Sequence, residues 1–119
     1  MNVKTSRDFA ESAVAMAEPA ARLLRLMGNP VRLRILCELM DAERNVGALT
    51  ERLGLEQSAL SQHLARLRRD GLVRTRREAQ TIYYTLASEE VARLIELLHE
   101  LYCAPAQAAG RSGAMTPEP

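Results

Sequence analysis

Gln57-Ser58-Ala59-Leu60-Ser61-Gln62-His63-Leu64-Ala65-Arg66-Leu67-Arg68-Arg69-Asp70-Gly71-Leu72-Val73-Arg74-Thr75-Arg76 is the stretch whose reading decides the fold. Leu60, Leu64 and Leu67 recur at i, i+4 and i+7, which places them on one inward stripe of a helix beginning near Gln57 or Ser58. Ser61, Gln62, Arg66, Arg68 and Arg69 then face outward or to the flanks, and Gly71 stops the helix after Asp70. Leu72–Arg76 and Thr81–Leu86 are rich in strand formers with polar residues 77–80 between them, so they read as an antiparallel hairpin. Strand alternation sends one of Tyr83 and Tyr84 inward and the other outward.

Upstream, Asn45 is a cap for a short helix, Val46–Leu53, that Gly54 terminates. Before it, Asn29-Pro30 opens a helix running to about Met40. Asn caps its free N–H groups, and Pro is tolerated at its first position. Leu33, Leu36, Cys37 and Met40 share one face of that helix. From about Arg7 to Met27 a first, Ala-rich helix carries Phe9, Ala13, Met16, Ala17, Ala20, Leu23, Leu24 and Met27 at helical spacing, with a bend expected at Pro19 and a stop at Gly28. Downstream, Ser88 caps a last helix with Glu89 and Glu90 in its first turn and a broad stripe of Val91, Leu94, Ile95, Leu98, Leu101 and Tyr102. The predicted fold is mainly α: a winged helix-turn-helix of five helices plus a two-stranded β-hairpin wing, dimeric, in one domain over residues 7–104. A flexible N-terminus (1–6) and a disordered Ala/Gly/Pro/Ser-rich tail (105–119) flank it. Hydrophobic residues make up 47% of the chain and aromatics only 3%, without Trp, which points to an aliphatic core between helices.

Net charge is +1, yet six arginines stand against Asp70 and Glu78 between Ser58 and Gln80. A basic segment on a near-neutral chain is a footprint for a polyanion, with a merely solvated face as the plain alternative. The helix before the wing presents Gln57, Ser58, Ser61 and Gln62. Gln reads adenine, and Ser bonds to several base edges or to phosphate. Arg66 and Arg68 suit phosphates, and Arg76 and Arg77 on the wing reach the flanking backbone or minor groove of double-stranded DNA. One winged unit contacts few base pairs. The first and last helices carry more apolar surface than one small domain needs, so they are expected to join two copies across a pseudo-palindromic operator.

Other classes are disfavoured. No CxxC, Ser-His-Asp arrangement or phosphate loop suggests an enzyme or catalytic residues, and Cys37 and Cys103 have no zinc spacing. No signal peptide and no membrane-length apolar run is visible, so the expected location is the cytoplasm, where thiols stay reduced. By spacing alone, Cys37 reads as a small core hydrophobe and Cys103 as a free thiol near a helix end. His63 either contacts DNA or packs on the neighbouring helix.

Leu26-Met27-Gly28-Asn29-Pro30-Val31-Arg32-Leu33-Arg34-Ile35-Leu36 resembles the signature of the ArsR-type winged-helix transcriptional repressors, and Gln57–Arg68 resembles their recognition helix. Asp70-Gly71-Leu72-Val73 and Gln80–Tyr84 resemble their hairpin, so the likeness spans about residues 20–103. The resemblance implies a homodimer joined by the first and last helices, a repressor released by an inducer, and a DNA-facing His63. The thiol pair of arsenic-sensing members is missing from Val46–Thr50, and the last helix has His99 but no second His for a zinc site, so no metal ligand set or cofactor is predicted. Ile35-Leu36-Cys37 and Leu101-Tyr102-Cys103 resemble the sulfide- and persulfide-responsive BigR/SqrR branch. That resemblance implies that reactive sulfur species link Cys37 to Cys103 within one subunit and weaken operator binding. Rival readings are a metal or metalloid sensor using Cys37, Cys103 and His99, a winged-helix module that binds protein, and a thiol enzyme.

Overall fold

The computed structural model describes residues 6–103, with side chains from Asp8 onward. Five helices and three short strands follow in the order α1 (Ser6–Met27), α2 (Pro30–Asp41), β1 (Arg44–Asn45), α3 (Val46–Leu53), α4 (Gln57–Arg69), β2 (Val73–Glu78), β3 (Thr81–Leu86) and α5 (Glu89–Tyr102). Ser6, expected in a flexible segment, opens α1; the rest of that segment and the predicted tail lie outside the described residues.

The caps are those the sequence announces. Asn29 Oδ1 accepts from the N–H groups of Val31 and Arg32 at 2.9 and 3.0 Å, Asn45 Oδ1 from Ala48 at 2.8 Å, and Ser88 Oγ from Val91 at 3.2 Å. Arg32 also reaches back across the turn, donating from Nε to the carbonyl of Leu26 at 2.6 Å, and so ties the end of α1 to the start of α2. Gly54 closes α3 at φ 69°, a left-handed conformation that L side chains rarely adopt, and this lets α4 start three residues later in a new direction. The helix α1 runs unbroken through Pro19.

Two features differ from expectation. The sheet has three strands in the order β1-β3-β2, all antiparallel: Arg44 and Asn45 pair with Tyr84 and Tyr83, adding a strand too short to show alternation in the sequence. The hairpin turn is only Ala79-Gln80, so Arg77 and Glu78 are strand residues paired with Ile82 and Thr81 rather than loop residues. Ala79 takes φ 57° there, so no Gly or Asn marked the turn.

The core is aliphatic. Leu60, Leu64 and Leu67 of α4 are wholly buried with Ile35, Leu36, Leu49 and Val91, and Leu26, Met27, Leu39, Leu53, Leu72, Val73 and Ile95 complete the cluster. At about 25 cal/mol per Å2 of apolar surface, these contacts are what holds α2–α5 and the wing in one body. Tyr84 packs on this core while Tyr83 turns away under Arg76, the predicted split. Half of the α1 stripe is not consumed: Phe9, Met16, Ala17 and Leu24 stay exposed, as do Val14 outside the stripe and Leu97, Leu101 and Tyr102 on α5. No described helix is long and apolar enough to cross a membrane.

Candidate nucleic-acid interface and thiol groove

The helix α4 follows α3 across Gly54 and Leu55 and is anchored by its three buried leucines. At about 100° per residue, the direction opposite that stripe is occupied by Ser58, Gln62, Ala65 and Arg69. Gln57, Ser61 and Arg68 lie on one flank and Arg66 on the other, and all of these residues are exposed. Arg69 belongs to the outer face and was missed as a candidate; its i+7 and i+11 spacing from Gln62 and Ser58 is the signal that finds it. Glu56, at the N-cap, makes no side-chain bond to the first turn, so the α4 N–H groups nearest Gln57 and Ser58 remain open to an acceptor.

His63 sits apart from the other candidates. It is half-buried on the side of α4 toward α2, and burial, then the charges of Arg32 and Arg66, holds it below the ordinary histidine value of 6.5. It is therefore mostly neutral at neutral pH.

The wing strand β2 carries Arg74, Arg76 and Arg77, and the two that the sequence singled out differ. Arg76 lies over the Tyr83 ring, 4.7 Å from the centroid, on the outer sheet face. Its Nε and Nη2 donate to the two carboxylate oxygens of Glu43 at 2.9 and 2.8 Å, and Nη1 donates to Glu78 at 2.9 Å. The bidentate bond holds Glu43 below, and Arg76 above, its ordinary pKa. Arg77 points to the opposite face by strand alternation and is exposed, without an ion pair among the described residues. Of the two wing candidates Arg77 is thus free to meet a phosphate, as is the neighbouring exposed Arg74, while Arg76 is already engaged.

Cys37 of α2 and Cys103, just past α5, come together. They line one open groove of about 760 Å3 between these helices, with Leu33, Met40, Ile95 and His99. Both are free thiols and exposed, so Cys37 is not the core residue its apolar neighbours suggested. Partial burial in the groove, then the proximity of Cys103, Glu38 and Asp41, pushes the Cys37 thiol above its ordinary value. His99, one turn before Cys103, accepts the Cys103 N–H on its backbone carbonyl at 2.8 Å. Among the described residues, no three His, Cys, Asp or Glu side chains converge to hold a metal ion.

Polar contacts tie the thiol-bearing helix to α3, β1 and the wing. Glu38, next to Cys37, accepts from Arg52 of α3, and its carboxylate lies 3.3 Å from Arg44 of β1. Glu43, just after α2, holds Arg76 of the wing.

Residues 29–75, the span from the α2 cap into the wing, match the family model described as bacterial regulatory protein, arsR family. The transcriptional activator HlyU of Vibrio cholerae is 66% identical over 84 residues, covering 71% of this chain and 78% of the relative. The chain belongs to the arsR family of bacterial regulatory proteins. Among solved structures of the fold, the transcriptional repressor BigR from Xylella fastidiosa is 36% identical at a TM-score of 0.74, over 84% of this chain and 98% of that one. A possible ArsR-family regulator from Mycobacterium bovis, solved as a homodimeric winged helix-turn-helix DNA-binding domain, is 32% identical at a TM-score of 0.67, over 91% and 94%. The chain is therefore a transcriptional regulator with the winged helix-turn-helix fold, not an enzyme.

Proposed function

We propose that this arsR-family chain binds a pseudo-palindromic operator as a homodimer and represses transcription in its reduced state. Linking Cys37 to Cys103 through reactive sulfur then lowers its DNA affinity. The observation that carries the sensing half is that two cysteines 66 positions apart line one groove between α2 and α5. The DNA half rests on the exposed face of α4. Gln57, Ser58, Ser61 and Gln62 meet base edges in the major groove, Arg66, Arg68 and Arg69 meet phosphates, and Arg77 reaches the backbone from the wing. The exposed apolar residues of α1 and α5 form the two-fold interface, as the first and last helices were expected to do.

The chemistry closes without an added oxidant. A cysteine thiolate attacks the sulfane sulfur of a persulfide R–S–SH, R–S⁻ leaves with the bonding pair and is protonated, and the protein carries Cys–S–SH. The second cysteine attacks the inner sulfur and expels HS⁻, leaving a disulfide; two thiols and one R–S–SH have become the bridge, R–SH and hydrogen sulfide. Each further R–S–SH adds one sulfur to the bridge and releases one R–SH. The raised pKa of Cys37 keeps it mostly protonated at neutral pH, so its attack quickens as pH rises. A link between α2 and α5 moves the helix that carries Glu38 and leads into Glu43, the two carboxylates that grip α3, β1 and the wing, which gives the thiol state a physical route to the DNA surface.

The test is intact mass of the reduced protein after glutathione persulfide, paired with anisotropy on a duplex selected from a random library by the reduced protein. A loss of two hydrogens in a one-chain species, alone for the disulfide or with one or more added sulfur atoms for a longer bridge, is expected together with loss of DNA affinity. Cys37→Ser and Cys103→Ser should bind DNA normally and lose the response; a serine variant that still responds fully sinks the two-thiol reading. The Vibrio cholerae relative is called an activator, and that favours a second reading, in which the bound dimer raises transcription. A reporter whose output rises when the reduced protein is expressed selects it.

A further inference from the structure

The groove around the thiols has a charge pattern that neither the bridge chemistry nor the DNA face uses. Its floor is apolar, with Leu33, Met40 and Ile95, while Asp41 at the end of α2 and Glu96 and Glu100 on α5 supply carboxylates. All three acids are exposed, none is in an ion pair among the described residues, and no Arg or Lys of those residues lines the groove. Glu38, by contrast, is neutralised by Arg44 and Arg52. Each thiol is thus reached through a negative field over an apolar surface.

We infer that this groove selects its sulfur donor by charge, accepting persulfides of small thiols with a neutral or cationic organic group and holding back those of anionic thiols such as glutathione. The inference rests on the sulfur-linking reading and names its substrate class. In the transfer step only the sulfane sulfur stays; the R–S group must enter, occupy the groove beside the carboxylates and leave as R–S⁻. An ammonium on R is attracted to Asp41, Glu96 and Glu100, and a carboxylate on R is repelled by them. Lining the same groove as the thiols, these acids act within about one Debye length, about 8 Å at physiological salt. Through water-like dielectric each changes the local concentration of a unit charge by about 1.5-fold, so three acids give about threefold per unit charge. Cysteamine persulfide, whose organic group is cationic, and glutathione persulfide, whose organic group carries a net single negative charge, differ by two units and should differ about tenfold.

The experiment measures the rate of free-thiol loss and bridge formation in the reduced full chain by quenched-flow mass spectrometry. Cysteamine and glutathione persulfides are each normalised to their rate with the neutral thiol N-acetylcysteine amide, which cancels intrinsic donor reactivity. The expected result is a cysteamine preference of about tenfold at physiological salt that collapses at about 1 M salt, where the Debye length is about 3 Å. The Asp41→Asn/Glu96→Gln/Glu100→Gln variant, checked for native circular dichroism and DNA binding, should lose the preference. Equal normalised rates with a bridge formed by both donors overturn charge selection and leave the sulfur switch standing. A preference that survives high salt or the triple variant also overturns it. No bridge with either donor refutes the switch itself, and the selection with it.

Discussion

Replacing Arg77 by Gln removes an exposed wing cation that no carboxylate engages among the described residues, whereas Arg76→Gln removes one already held by Glu43 and Glu78. Only a cation that displaces counterions from phosphate contributes to the salt dependence of DNA binding, at about 0.9 in the log–log slope per phosphate on duplex DNA. A dimer presents two wings, so Arg77→Gln should flatten the slope by about 1.8. Over a rise from 50 to 200 mM salt that is about a tenfold smaller loss of affinity than the parent shows. Arg76 bonds to Glu43 through both carboxylate oxygens and lies on Tyr83, and it would have to give up these contacts to reach a phosphate. Arg76→Gln should therefore leave the slope nearly unchanged and weaken binding at every salt concentration by loosening the wing, and Glu43→Gln should match it. Fluorescence anisotropy on one duplex across that salt range reads both quantities. If Arg76→Gln flattens the slope as much as Arg77→Gln does, the ion pair opens on DNA and the division of labour drawn from the wing geometry is wrong.

The depressed pKa of His63 gives a sign for acid stability. A histidine whose folded pKa lies below 6.5 binds protons more readily when unfolded, so its stabilising contribution is present above that pH and is lost as pH falls through and below it. Urea midpoints at pH 7.5 and 5.5 should converge for His63→Gln relative to the parent, and an unchanged pH dependence contradicts the assignment. Leu64→Ala, at a site with no exposure, should cost about 3 kcal/mol of stability by urea unfolding; a loss below about 1 kcal/mol would mean α4 is not pinned as described. Leu101→Arg, on an exposed apolar position of α5, should shift the protein toward monomer in sedimentation and weaken DNA binding without changing its helix content. A variant that stays dimeric places the interface elsewhere.

The local chemistry of this chain is strong where it is sequence-near. The caps Asn29, Asn45 and Ser88, the stop at Gly54 and the Leu60-Leu64-Leu67 stripe each act within one or two helical turns, so periodicity and cap residues reveal them. Arg32 belongs to the same class: its bond to Leu26 spans six residues and fixes the α1–α2 corner within the run that carries the family resemblance. What stayed hidden is decided across longer gaps. β1 is two residues long and exists because β3 offers it an edge. Arg76 is bound by Glu43, 33 residues away, and no spacing rule pairs them.

The cysteines show the same limit in the opposite sense. A helical wheel puts Cys37 with Leu33, Leu36 and Met40, and burial would follow if another element covered that face. In the fold α2 lies between α1 and α5, and only Leu36 of the four is fully enclosed; α5 leaves a groove over Cys37 and ends at Cys103. The apolar stripe therefore predicts the wall and not the opening in it, because an opening depends on where a neighbouring helix stops. Here α5 stops at Tyr102, and Cys103 just past it shares one cavity with a thiol that α2 alone would have suggested was core.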